Sequence, residues 1–92
     1  MGMKVNSEVT VINKLGLHAR ASAQLVKLAG AYASDVRLTL GHQSVDGKNI
    51  MGLMMLAATY GSRIMITAEG EDAGQAIERI DALFSERFGE PE

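Results

Sequence analysis

From Val5 to Ile12 apolar and polar positions alternate, with Val5, Ser7, Val9 and Val11 on one face and Asn6, Glu8 and Thr10 on the other. A period of two predicts a half-buried strand. Asn13-Lys14-Leu15-Gly16-Leu17 breaks the alternation, and from Ala19 to Leu28 the spacing becomes helical, with Ala21, Leu25, Leu28 and Ala29 on one stripe and Gly30 as a natural stop. Val36, Leu38 and Leu40 alternate again with Arg37 and Thr39. Gly41-His42 then stands where a two-residue turn returns the chain through Gln43 to Asp46, which predicts a hairpin.

After Asp46-Gly47-Lys48, Asn49 can cap a short second helix carrying Ile50, Met51, Leu53, Met54 and Met55, with Gly61 at the turn beyond. Ile64, Ile66 and Ala68 alternate with Met65 and Thr67 as a fourth strand ending at Glu69-Gly70-Glu71. Asp72 and Gln75 have the spacing of a capping box, and Ala76, Ile77, Ile80, Leu83, Phe84 and Phe88 recur helically up to Gly89, with Pro91 past the end. The order is strand, helix, strand, strand, helix, strand, helix. Its apolar faces predict an α+β fold, an open-faced β-sandwich in which three helices cover one face of a four-stranded antiparallel sheet.

Ninety-two residues hold one modest core and not two, so residues 1–92 are read as a single domain. The chain has no cysteine, which excludes a disulfide framework and a thiolate metal site and suits a reducing compartment. No apolar run approaches the roughly 20 residues that span a bilayer, and no secretory signal is legible, so a cytoplasmic protein without direct membrane insertion is expected. Met3 offers a second start after Met1-Gly2, and Asn6 stands where a myristoylation signal needs Ser or Thr. The formal charge of −2 argues against a nucleic-acid partner, so any anion site has to be local.

One such place is His18, between the glycine-containing loop and the first predicted helix. There the backbone N–H groups of Ala19, Arg20 and Ala21 have no intrahelical acceptor, and the helix end carries roughly half a positive charge. A phosphoryl group held covalently on His18 would meet those donors without a buried salt bridge. Arg20 adds a planar, permanently charged fork matched to phosphate oxygens. Nucleophilic attack needs an unprotonated ring nitrogen, and this electropositive surrounding favours the anionic product. Position alone also allows a histidine that merely caps a helix in an exposed loop.

The run Gly16-Leu17-His18-Ala19-Arg20-Ala21-Ser22-Ala23 resembles the active-site signature of the histidine-containing phosphocarrier family, HPr. The similarity extends from Val9 onward, through Gly47-Lys48-Asn49-Ile50-Met51-Gly52-Leu53-Met54 and Ala68-Glu69-Gly70. It implies an HPr-like fold and a carrier rather than an enzyme. His18 matches the histidine phosphorylated on Nδ1, and Arg20 the arginine that interacts with the phosphoryl group. The implied donor is an Enzyme I-type protein charged by phosphoenolpyruvate, and the acceptor an EIIA-type protein, in sugar uptake or nitrogen-related regulation. No cofactor and no metal are implied, and a monomer is expected.

Two positions depart from the family pattern. Ala21 stands where the best-known members have proline, which restores an N–H in the first turn and frees φ, a small change at a helix start. Asn49 stands where many sugar-system members carry a regulatory serine, so a kinase aimed at that hydroxyl finds nothing, while capping explains Asn49 on its own. Asn49 and Asn13-Lys14-Leu15 resemble the nitrogen-related branch, NPr.

Ile50, Met51 and Met54 are core by default, but a methionine-rich helix apolar on more than one face cannot bury everything in so thin a fold. One stripe is therefore a candidate partner surface, which the resemblance places beside His18, with Lys27 and Lys48 as a steering rim. Ser22 is expected to help line the phosphoryl site. Gly41 to Asn49 misses the P-loop spacing, and His42 is too far from His18 to suggest a metal pair. Glu69, Glu71 and Asp72 read as helix-start acids. Two other functions stay open at this point: a regulatory binding module that uses the Ile50, Met51, Met54 surface without transfer, and a small-anion-binding domain built on Arg20 and the helix end.

Overall fold

The computed structural model describes residues 2–92. Strand β1 (Met3–Thr10) leads to helix α1 (Ala19–Gly30), the hairpin β2 (Asp35–Leu40) and β3 (Gln43–Asp46), helix α2 (Ile50–Leu56), strand β4 (Arg63–Gly70) and helix α3 (Ala73–Ser85). The strands form one antiparallel sheet in the order β1-β4-β2-β3, with both edges left to β1 and β3. This is the open-faced α+β sandwich expected from the pattern.

The register explains why alternation was so clear. Val5 pairs with Ala68, which pairs with Val36, and Ser7 pairs with Ile66, which pairs with Leu38 and through it Val45. These rows share one face because the side-chain period is two. Helix α3 lays Ala73, Ala76, Ile77, Ile80 and Phe84 into the core, and α1 lays down Ala21, Ser22, Leu25 and Ala29. Ser7 is a polar residue on that inner face, and its hydroxyl donates to the Asp81 carboxylate of α3 at 2.9 Å. The other sheet face carries polar links such as Thr67 Oγ1 to Asn6 Oδ1 at 2.8 Å.

The hairpin turns at Gly41-His42, with Gly41 at φ 60° supplying the left-handed position such a turn needs. Asn49 caps α2 as expected, its Oδ1 accepting from the Gly52 N–H at 3.1 Å. Four elements differ in their bounds from the sequence pattern. Strand β1 lies two residues earlier than the alternation, beginning at Met3, paired with Gly70, and ending at Thr10, not Ile12. Helix α1 runs through Gly30 without a left-handed stop, and Ala31 closes it by donating to Leu28 O at 3.1 Å. Helix α2 ends at Ala57, a non-glycine residue in the left-handed region at φ 54°. Helix α3 ends at Ser85, and Arg87 and Phe88 take φ values of 57° and 54° in a 3₁₀ turn. The apolar spacing ran on to Phe88 because its ring still reaches Phe84, edge to face at 4.9 Å, across the broken backbone.

The capping box at Asp72 does not form. Its carboxylate turns away from α3 and accepts from the N–H groups of Ala33 and Ser34, at 2.8 and 2.9 Å, and from the Ser34 hydroxyl at 2.5 Å. A carboxylate offers only acceptors, and three donors converging from the α1–β2 turn outcompete one helix-end amide. The Ser34 hydroxyl, with the Ala33 amide, holds the Asp72 carboxyl below its usual value, against a smaller opposing effect of burial. A lowered folded-state value adds stability above the unfolded value, lost as pH falls through the folded one. Ser34→Ala should therefore lower the melting temperature at neutral pH, with the deficit shrinking as pH drops below the ordinary value of 3.8. Thermal melts of both proteins across that range check it, and a deficit independent of pH would refute it.

Candidate phosphoryl-acceptor site

The loop between β1 and α1 is built on the turn that precedes β4. Val11 N–H donates to Ser62 O and Gly61 N–H to Val11 O, both at 2.8 Å, and Leu17 N–H donates to Ala58 O at 2.9 Å. Gly16, at φ 69°, lies so close to the Ala58 carbonyl oxygen that a Cβ would collide with it. Only glycine meets both demands. That contact fixes where the chain turns into α1.

His18 is the N-cap residue of α1, with extended backbone, and the first intrahelical bond runs from Ser22 N–H to His18 O at 2.9 Å. Its ring makes no capping bond. His18 thus holds the N-cap position through its backbone, and the ring is left for other contacts. Nε2 lies 2.5 Å from Glu90 Oε2, with the His18 side chain 29% exposed and that of Glu90 7%. Of the three backbone donors expected at the helix end, Ala19 and Arg20 are exposed, whereas Ala21 is wholly buried against the core.

Around the ring is a cleft of about 350 Å³ lined by Lys14, Leu15, His18, Arg20, Glu90, Pro91 and Glu92. Arg20 is exposed beside it and belongs to neither ion pair among the described residues. Its guanidinium is thus free to take a ligand. Burial pushes the Glu90 carboxyl up, but hydrogen bonds from His18 and Asn13 and the nearby charge of Arg20 outweigh this and hold it below its usual value. Ser22 does not line the cleft, contrary to expectation. It is wholly buried, and its hydroxyl donates to Leu17 O at 3.1 Å, tying the loop to the helix.

The other sequence candidates lie elsewhere. Lys27 is in the last turn of α1, nine residues from His18 and roughly 13 Å along the axis. It borders a separate groove of about 440 Å³ between α1 and α3, with Leu28, Arg79 and Leu83. Lys48 is not a free charge, since its Nζ donates to Tyr32 O at 2.8 Å. Ile50, Met51 and Met54 are 37%, 63% and 41% exposed on α2, while Leu53 and Leu56 of the same helix are buried. Helix α2 packs against α1 and β3.

Two residues of the site escaped the sequence reading. Glu90 is 72 positions from His18. Asn13, wholly buried, joins them by donating through Nδ2 to Glu90 Oε1 at 3.1 Å and to Gly16 O at 2.9 Å. No local spacing marks either residue, because both act through the fold. Among the described residues no three His, Asp or Glu side chains gather as a metal centre requires. No described helix is long and apolar enough to cross a membrane.

The family model for the PTS HPr component phosphorylation site matches residues 5–86. A phosphocarrier protein HPr of Cupriavidus necator is 49% identical over 92% of this chain and 96% of its own length. A phosphocarrier protein NPr of Shewanella violacea is 36% identical over 95% and 96%. The crystal structure of an HPr from Thermoanaerobacter tengcongensis superposes with a TM-score of 0.92 at 33% identity, covering 96% of this chain and 99% of that one. With its sheet order, its helix-end histidine and these likenesses, the chain belongs to the HPr family, whose members are phosphocarriers of the phosphotransferase system and not enzymes.

Proposed function

We propose that His18 accepts a phosphoryl group on Nδ1 from an Enzyme I-type donor charged by phosphoenolpyruvate and passes it to an EIIA-type acceptor. The observation that carries this reading is the division of labour on the His18 ring. Nε2 is engaged by Glu90 at 2.5 Å, which leaves Nδ1 as the nitrogen without a side-chain partner among the described residues, on a residue that begins α1 and lines a cleft with Arg20. The amides of Ala19 and Arg20, with Ala21 behind them, and the Arg20 guanidinium then stabilise the transferred anion. Because the phosphoryl group is carried and not hydrolysed, positioning against each partner supplies the rate.

Partners dock on the exposed side chains of Ile50, Met51 and Met54, and the adaptable thioethers of the two methionines suit a surface that must fit both a donor and an acceptor. Lys48 adds a positive charge just before that helix, its amine committed to Tyr32 O, whereas Lys27 lines the groove between α1 and α3 and does not rim this face. Residues 1–92 act as one monomeric domain in the cytoplasm, without a nucleic-acid or membrane partner. Asn49 offers a regulatory kinase no hydroxyl and holds α2 in place. The phosphoryl group passes on in sugar uptake or in nitrogen-related regulation, the latter being the branch that Asn49 and Asn13-Lys14-Leu15 resemble.

The test is incubation with phosphoenolpyruvate and an Enzyme I-type protein, followed by intact mass and peptide mapping. One acid-labile, base-stable phosphoryl adduct on the His18 peptide is expected, transferable to an EIIA-type protein. An adduct on any other residue, or none with several such donors, would overturn the reading.

A further inference from the structure

Glu90 lies outside residues 5–86, the stretch matched by the family model. Yet it is the most enclosed charge at the cleft, and the chain around it is fastened down. Asn13 Nδ2 holds Oε1 at 3.1 Å while His18 Nε2 faces Oε2 at 2.5 Å. Lys14 N–H donates to Glu92 O at 3.0 Å, Arg87 Nη1 to Pro91 O at 3.1 Å, and Glu90 N–H to Arg87 O at 2.9 Å. A carboxylate can only accept, so at this separation the ring nitrogen facing it carries the proton.

We propose that Asn13, Glu90 and His18 form a relay in which Glu90 is a positioning residue, holding the imidazole as the Nε2–H tautomer and balancing the charge the ring gains when Nδ1 takes a phosphoryl group. This rests on the carrier function argued above. In the neutral ring with its proton on Nε2, the Nδ1 lone pair forms the bond to phosphorus. The bond from phosphorus to the donor's leaving atom breaks, and its electron pair stays with the donor. The proton remains on Nε2, the ring becomes cationic, and that charge faces the Glu90 carboxylate. In onward transfer a nucleophilic atom of the acceptor bonds phosphorus, the Nδ1–phosphorus pair returns to Nδ1, and the ring is neutral again. One carboxylate thus serves both directions, as a carrier requires. Asn13, itself wholly buried, keeps the carboxylate aimed by occupying its other oxygen.

Glu90→Gln separates this from a merely structural tail contact. It carries no charge, and it puts an NH2 donor where one of the two carboxylate oxygens stood, so Asn13 and His18 no longer each face an acceptor. Three readouts are needed: the melting temperature, the His18 ring tautomer by ¹⁵N NMR, and single-turnover phosphoryl acceptance with saturating phosphorylated Enzyme I-type donor. The expected result is a melting temperature within a few degrees of the parent, a ring shifted from Nε2–H toward a tautomer mixture, and acceptance slowed about tenfold, the loss when a charge-assisted hydrogen bond becomes a neutral one. An unchanged rate or an unchanged tautomer would overturn the relay. If the parent protein takes no phosphoryl group at all, the carrier function falls, while the tautomer measurement still decides whether Glu90 holds the ring.

Discussion

Replacing His18 with alanine should abolish phosphoryl acceptance and onward transfer completely while leaving the fold in place. The imidazole supplies the only nucleophile proposed for the cleft, and neither Arg20 nor the amides of Ala19 and Arg20 can form a covalent bond to phosphorus at neutral pH. The fold has little to lose, because the ring is 29% exposed, its one side-chain hydrogen bond is to Glu90, and it contributes no cap to α1. Glu90 keeps its bond from Asn13, and Arg20 remains nearby. A melting temperature within a few degrees of the parent is therefore expected. Because the side chains proposed for docking, Ile50, Met51 and Met54, sit on another helix, binding to an Enzyme I-type protein should persist in calorimetry. A residual adduct on the variant would mean that another side chain accepts the group, and loss of binding would mean that the ring itself belongs to the docking surface.

How much of this was legible in the sequence follows from which forces act locally. Strand alternation, the Gly41-His42 turn and the Asn49 cap are decided within a few residues, and the structure has all three. Asp72 had the spacing of a helix cap but was taken by Ala33 and Ser34, donors almost 40 positions away that only the folded chain brings near. Ser22 looked like a site hydroxyl because it follows Arg20 in sequence, yet helical geometry turns it inward to Leu17. The site divides in the same way. His18 and Arg20 were readable because a helix N-terminus is a local object, whereas Asn13 and Glu90 become partners of the histidine only once the segment after α3 folds back across the β1–α1 loop.

That return depends on Phe88, which makes Phe88→Ala the severest structural test. The side chain is 1% exposed, its ring packs edge to face on Phe84 at 4.9 Å, and it takes a left-handed φ of 54° that redirects the chain after α3. Truncating a buried phenylalanine costs about 3–5 kcal/mol, from lost apolar burial and the cavity left behind. Alanine gains nothing back, since it is no easier to place at positive φ than other residues with a Cβ. In a chain of 92 residues such a loss corresponds to a fall in melting temperature of roughly 12 °C or more. Glu90 is only two residues farther on, so the loss should also free the carboxylate from Asn13 and His18 in whatever fraction stays folded. The variant should then show the tautomer mixture predicted for Glu90→Gln, but with a large drop in melting temperature that Glu90→Gln lacks. A small drop would show that the turn holds without its ring. A large drop with the Nε2–H tautomer intact would show that the hydrogen bonds of the tail, through Lys14, Arg87 and Asn13, fasten Glu90 independently of the core.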